Sequence, residues 1–257
     1  MTQYGMVIDL QKCVGCGACA ISCKTENNTQ NRQDGQSFNW ADFLYEESGT
    51  FPNAAHTTRP VLCNHCTDAP CVAACPVKPT AIFKTPDGIT MINHERCTGD
   101  RACQRACPYS KETVKAGEWS VLNFNEFKKD THPFYRDRSE LIAAGTASGA
   151  EVARQAGSIP PHRNRYGHPD YSDVRRAGVV EKCIFCDHRL KKGEMPYCVV
   201  SCPSGARVFG DIRDQNSEPA KLLKKHKATV LKPEGSSRGG GDGRGYKARD
   251  RGPRRRS

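Results

Sequence analysis

Residues 6–9 run Met-Val-Ile-Asp, a short apolar stretch closed by a polar residue, and read as a strand. Residues 81–84 and 89–93 flank Pro86-Asp87-Gly88, whose turn chemistry predicts a hairpin. A further strand is expected over 206–212. Ser139 is placed to cap a helix running to about residue 156. Residues 24–62 hold a polar, Asn-rich stretch and then Phe38, Trp40, Phe43, Tyr45 and Phe51, an aromatic patch read as local packing. From Pro233 the chain is rich in Gly, Ser and Arg, a composition that cannot bury a core and predicts disorder. No run approaches the roughly 18 apolar residues of a membrane span, so none is expected. The pattern is α+β, made of short hairpins and short helices.

Composition changes this picture in one respect. Only 37% of the 257 residues are hydrophobic, yet 15 are cysteine, far above ordinary use in an intracellular protein. Residues 1–10 show no basic segment, apolar segment or twin arginine of an export signal. An odd cysteine count without such a signal argues against a disulfide-stapled secreted domain. Charge matters less than the net of +11 suggests. Residues 221–257 hold 13 Lys or Arg against 3 Asp or Glu, so the body is nearly balanced and the excess is a basic tail. An acidic surface, on a partner or on anionic lipid, is the expected contact of that tail.

The cysteines fall in four runs and none is left over. The first is Cys13, Cys16, Cys19, Cys23; the second Cys63, Cys66, Cys71, Cys75. The third is Cys97, Cys103, Cys107, with Asp100 where a thiol would keep the rhythm; the fourth is Cys183, Cys186, Cys198, Cys202. An offset of 84 carries the first run onto the third, and one of 120 carries Cys63 and Cys66 onto Cys183 and Cys186. The chain therefore reads as two copies of a two-run unit. Pro76, Pro108 and Pro203 follow the last cysteine of three runs; Lys24 stands there in the first.

Cys-x2-Cys-x2-Cys-x3-Cys is the run of bacterial ferredoxins. Three close thiolates wrap three corners of an iron–sulfur cubane, and the fourth, on the following helix, reaches the other cluster of a pair. Zinc takes four ligands from two pairs, not triplets with a trailing cysteine. The spacing thus argues for iron–sulfur over zinc. His65 and His188, beside ligand cysteines, read as neighbours that could hydrogen-bond a cluster or as surface groups. His132, His162 and His168 lack metal spacing. No residue is expected to be catalytic in the bond-making sense.

The order of the runs, the wide fourth run and the closing VFGDI make the chain similar, over residues 5 to about 213, to the four-cluster iron–sulfur subunit of the dimethyl sulfoxide reductase family of molybdoenzymes. That resemblance implies nested pairing of the runs, first with fourth and second with third; adjacent pairing is the geometric alternative. Carried over, one cluster falls to Cys13, Cys16, Cys19 and Cys202, and its neighbour to Cys183, Cys186, Cys198 and Cys23. A third falls to Cys63, Cys66, Cys71 and Cys107. These three are 4Fe–4S clusters with four cysteines each. The last falls to Cys97, Cys103 and Cys75, either 4Fe–4S with Asp100 as ligand or 3Fe–4S.

The implied role is an electron-transfer subunit between a molybdopterin (Mo or W) catalytic subunit and a membrane quinone-reactive subunit, in a sulfur- or arsenic-oxyanion oxidoreductase. The first cluster would lie toward the catalytic subunit and the Asp100 cluster toward the quinone side. Location would be peripheral to the cytoplasmic membrane, on the cytoplasmic face or exported together with a partner. A freestanding polyferredoxin is the competing reading, and a zinc nucleic-acid-binding protein a remote one. Each loaded cluster adds roughly −2 of charge, which makes the body a poor nucleic-acid surface, so no nucleic-acid partner is expected. The expected layout is residues 1–62 (first run and connector), 63–109 (second and third runs), 110–178 (insertion), 179–220 (fourth run, completing a module with the first) and 221–257 (tail).

Overall fold

The computed structural model describes residues 1–27, 29, 36, 38–115, 118–125, 155, 178–226, 228–229 and 246–249. Strand β1 (Tyr4–Asp9) runs through the core, with Met6, Val7 and Ile8 all buried. Its partner β8 (Arg207–Asp211) is antiparallel and brings the start of the chain to the end of the fourth run, pairing Tyr4 with Asp211 and Ile8 with Arg207. On its other edge lies β10 (Tyr246–Arg249), parallel, and beyond it β9 (Ala228–Thr229). The tail composition had suggested no order there, but β1 without a second partner would leave a row of backbone groups unpaired, and β10 meets them.

Three hairpins complete the β structure. The longest, β2 (Ala41–Ser48) with β3 (Ala55–Leu62), carries the aromatic patch. Position along the strand divides it: Phe43 is buried, while Tyr45, on the same face but further out, and, in the turn, Phe51 are exposed. The hairpin β4 (Ile82–Lys84) and β5 (Thr90–Ile92) closes over the expected Pro-Asp-Gly turn, where Gly88 takes φ +88. The third, β6 (Asn123–Asn125) with β7 (Val179–Glu181), spans the insertion and delivers the chain to Cys183.

The helices are short, and all but the last contain or directly follow a cysteine of the four runs. Helix α1 (Ala18–Asn27) buries Cys19, Ser22, Cys23 and Asn27, one stripe at helical spacing. Helices α2 (Pro70–Ala73), α3 (Ala102–Ala106), α4 (Asp187–Leu190) and α5 (Tyr197–Val200) are single turns. Helix α1 packs on α5, with Ser201 Oγ donating to Ser22 Oγ at 2.7 Å, and α2 packs on α3. Helix α6 (Glu218–Lys225) is capped by the Ser217 hydroxyl and covers β8 and β1. The helix expected over 139–156 lies outside the described residues apart from Gln155, as do His132, His162 and His168.

The core is unusual in its chemistry. Eight of its buried side chains are cysteines, interleaved with Met6, Ile8, Leu62, Ile82, Ile89 and Phe185. Thiols take the place that aliphatic side chains would fill in a domain of this size.

Candidate iron–sulfur centres

The thiols meet in four groups. In the first, Cys13, Cys16, Cys19 and Cys202 line one cavity together with Ile8, Phe43 and Arg207. Burial pushes the Cys19 thiol up, the Arg207 guanidinium holds it down, and neighbouring Cys202 and Cys13 raise it again. Burial also pushes Cys202 up, but backbone amides of Arg207, Ala206 and Ser204 and the Ser204 hydroxyl outweigh it, leaving that thiol lowered. Cys16 is the one exposed cysteine among the fifteen.

Cys23, on the inner face of α1, joins the fourth run. Its thiol is raised first by burial, then by Cys186, Cys183 and Cys198. Asn27 Nδ2, one turn further along the helix, points at Cys23 Sγ (3.5 Å) and Cys186 Sγ (3.9 Å). In the third group, burial lifts Cys71 to about 12, with Cys63 and Cys66 adding to it, and Cys66 to about 11, with Cys63 adding. Cys107 is raised by burial too, and has Cys71 and Cys63 beside it.

The last group surrounds a second cavity lined by Cys75, Cys97, Asp100 and Cys103. Cys103 is pushed up to about 12 by burial, then by Cys71, Cys97, Asp100 and Cys75. The carboxylate of Asp100 is exposed, with Oδ1 accepting from the Ala102 amide at 2.7 Å and Oδ2 from the Thr98 hydroxyl at 3.0 Å.

The groups form a row. Cys19 of the first neighbours Cys198 of the second, Cys183 of the second neighbours Cys63, and Cys71 neighbours Cys103 of the last. At the middle junction the rings of His65 and Phe185 stack with centroids 3.8 Å apart, and Phe185 also meets Phe209 edge-on. His65 and Phe185 occupy matching places, two residues after Cys63 and Cys183. Both take positive φ, and both amides approach the preceding thiol sulfur at 3.4 Å. Positive φ is uncommon away from glycine, and it turns the loop amides inward. A third such amide, Ala81 N–H, lies 3.4 Å from Cys75 Sγ.

These surroundings suit an anionic, sulfide-bearing group. Each cavity encloses about 310 Å³ including its open mouth. Among the described residues no three His, Cys, Asp or Glu side chains close on one point as a single ion requires. One buried donor of the second run, His65 Nε2, has no protein acceptor. The Thr90 amide donates to His65 Nδ1 at 3.0 Å, so the ring proton of neutral His65 sits on that orphaned Nε2. Both His65 and His188 are buried rather than surface groups; His188 Nε2 lies 2.7 Å from Glu26 Oε1.

Comparison with known proteins gives these groups their chemistry. Residues 54–122 and 166–212 match the 4Fe-4S dicluster domain, and residues 6–26 the 4Fe-4S binding domain. The arsenate respiratory reductase iron-sulfur subunit ArrB of Shewanella sp. (strain ANA-3) is 44% identical over 233 residues, spanning 90% of this chain and 92% of that protein. A putative dimethyl sulfoxide reductase iron-sulfur subunit of Halobacterium salinarum is 35% identical, over 91% of this chain and 76% of its own length. A tetrathionate reductase subunit of Salmonella typhimurium is 31% identical, over 90% and 68%. The chain belongs to the family of iron–sulfur subunits of molybdoenzyme complexes.

It is an electron-transfer subunit that binds 4Fe–4S clusters. The clusters supply one-electron redox chemistry; the protein supplies spacing, burial and the donors and charges around the sulfurs. No helix among the described residues is long and apolar enough to cross a membrane. Sequence reasoning did not single out the nitrogen donors and cations of the site: Asn27, Lys84, Lys182 and Arg207. Two of them had a signal. Lys182 directly precedes Cys183, and Asn27 lies one helical turn beyond Cys23.

Proposed function

We propose that this subunit carries electrons through four clusters in a row, between a molybdopterin-containing catalytic subunit and a membrane quinone-reactive subunit. The ligand sets are Cys13, Cys16, Cys19 and Cys202; Cys183, Cys186, Cys198 and Cys23; Cys63, Cys66, Cys71 and Cys107; and Cys75, Cys97, Cys103 and Asp100. The observation that carries this reading is the continuity of the four thiol groups, each with a thiol beside the next. Two ferredoxin-like modules result, one from the outer runs and one from the inner. The exposed Cys16 makes the first group the port toward the catalytic subunit. The named activities of the relatives, on arsenate and tetrathionate, favour an oxyanion of arsenic or sulfur as the terminal substrate. The subunit attaches to the membrane through its partners.

The test is purification of the native assembly. A large molybdopterin subunit should copurify, with about sixteen irons per copy of this chain. A stable, cluster-loaded monomer without a partner would make the protein a freestanding carrier instead.

At the last group, Asp100 stands as the fourth ligand of a 4Fe–4S cluster. Its carboxylate is already fixed at the cavity wall by Thr98 and Ala102, and it carries the charge of the thiolate it replaces. Oxygen is a harder ligand than sulfur, so that corner iron should leave first on exposure to air. Electron paramagnetic resonance should show a 3Fe signal that grows in air and is absent in Asp100→Cys. A full 3Fe signal in strictly anaerobic protein, unchanged by ferrous iron, would assign a 3Fe–4S cluster.

A further inference from the structure

Two of the junctions in the row of thiol groups contain a buried cation. Lys182 is 1% exposed and Arg207 3%. Lys182 Nζ donates to the carbonyl of Cys183 at 2.6 Å, which anchors the ammonium at the start of the fourth run. Its charge opposes the rise of the Cys183 thiol in one group and of Cys66 and Cys71 in the next. Arg207 does the same one junction earlier. It reaches Cys198 Sγ at 3.8 Å and acts on Cys19, Cys23 and Cys198, which belong to the first two groups. Lys84 differs from both. It is half-buried, donates to the carbonyls of His65 (3.3 Å) and Cys66 (2.7 Å), and acts on the Cys63 group.

A buried cation costs several kcal/mol unless anions compensate it. A loaded cluster with four thiolates carries roughly −2, and reduction adds one more negative charge. A cation shared by two clusters therefore favours the reduced state of both, and offsets the repulsion between two reduced neighbours.

We propose that Lys182 is a shared potential-setting cation, raising together the midpoint potentials of the Cys183/Cys186/Cys198/Cys23 cluster and of the Cys63/Cys66/Cys71/Cys107 cluster. Arg207 has the corresponding role between the first two clusters, and Lys84 acts on the Cys63 cluster alone. This rests on the four-cluster reading above and assigns positioning and charge roles to residues that bind no iron.

The experiment is a potentiometric titration of the purified complex, followed by electron paramagnetic resonance, with iron content measured on the same samples. In Lys182→Met two of the four midpoints should move negative, with the other two in place, and Lys182→Arg should restore them. In Lys84→Met one midpoint should move, and it should be one of the pair that Lys182→Met shifts. That arm stands independently if Lys182→Met assembles poorly, because Lys84 is only half-buried. Full iron with unmoved midpoints in Lys182→Met overturns the proposal, as does an equal shift of all four or a shift of one alone. Fewer than four reducible centres in the unaltered complex would instead overturn the four-cluster wire itself.

Discussion

Gly99 is the place where a single methyl group should remove one centre and spare the rest. It lies in the third run between Cys97 and Asp100, at φ +72. A Cβ built there would sit 2.1 Å from the carbonyl oxygen of Gly178 and 2.9 Å from Cε2 of Phe124. Both belong to the β6–β7 hairpin, on which this loop rests, with the Arg101 guanidinium also over the Phe124 ring at 5.3 Å. Comfortable non-bonded separations are ~3.5–4.0 Å, so loop and hairpin must part by more than about 1 Å. The obstructing atom is backbone, and Gly178 N–H is itself bonded to the Asn125 carbonyl at 2.7 Å, so it cannot simply turn aside. The left-handed conformation costs an alanine about 1–2 kcal/mol and the overpacking about 1–3 more, together roughly 2–5 kcal/mol against the closed loop. At ~1.4 kcal/mol per tenfold, occupancy of the Cys75/Cys97/Cys103 centre should fall by more than an order of magnitude. Gly17→Ala is the control. Gly17 has φ +79 in the first run, but its Cβ meets nothing within 4 Å, so it carries the conformational cost alone. Iron analysis and electron paramagnetic resonance of the two purified variants should show one signal lost in Gly99→Ala and four kept in Gly17→Ala. Equal behaviour of the two, or a full complement in Gly99→Ala, would refute the steric reasoning.

Phe185→Ala should destabilise the loaded protein by about 3–5 kcal/mol, since the ring is 1% exposed and stacks on His65, whereas Phe185→Leu should cost well under that; thermal unfolding of the purified complex checks the ranking. Cluster retention should improve with pH. The cluster-free thiols of Cys66 (about 11), Cys71, Cys103 and Cys186 (about 12) are protonated across pH 6–9, while cluster binding requires thiolates and releases protons. A chelator should therefore strip iron faster at pH 6.5 than at 8.5, and a flat or inverted profile would contradict the raised thiols. Cys16→Ser and Cys186→Ser should each halt electron delivery from quinol while the catalytic partner still turns over with an artificial donor; continued quinol-driven turnover would place the electron path elsewhere.

The cysteine runs were fully legible in the sequence because ligand spacing is a local constraint, and so were the β4–β5 hairpin around Pro86-Asp87-Gly88 and the strand beginning at Arg207. The β2–β3 hairpin was not. Its aromatics read as a local patch, whereas Phe43 lines the first cavity and Tyr45, on the same face, lies where the hairpin runs out into solvent, which no local pattern shows. The burial of His65 and His188 was equally hidden, since each depends on a partner far along the chain, Phe185 for one and Glu26 for the other. Lys182 and Arg207 looked like ordinary charges because nothing in a linear pattern marks a cation that will be enclosed between thiols. What the spacing could not carry was three-dimensional adjacency, and the cations and amide donors owe their roles to adjacency.

The pairing of β1 with β8 has a consequence for how the protein is made. Tyr4 meets Asp211, so the outer two thiol groups cannot close until almost the whole described body has left the ribosome. The thiols of the inner two all lie within residues 63–107, although Val180 lines the Asp100 cavity and Phe185 stacks on His65. The inner thiols are thus together early on a nascent chain, while Cys13, Cys16, Cys19 and Cys23 wait for a strand about 190 residues downstream.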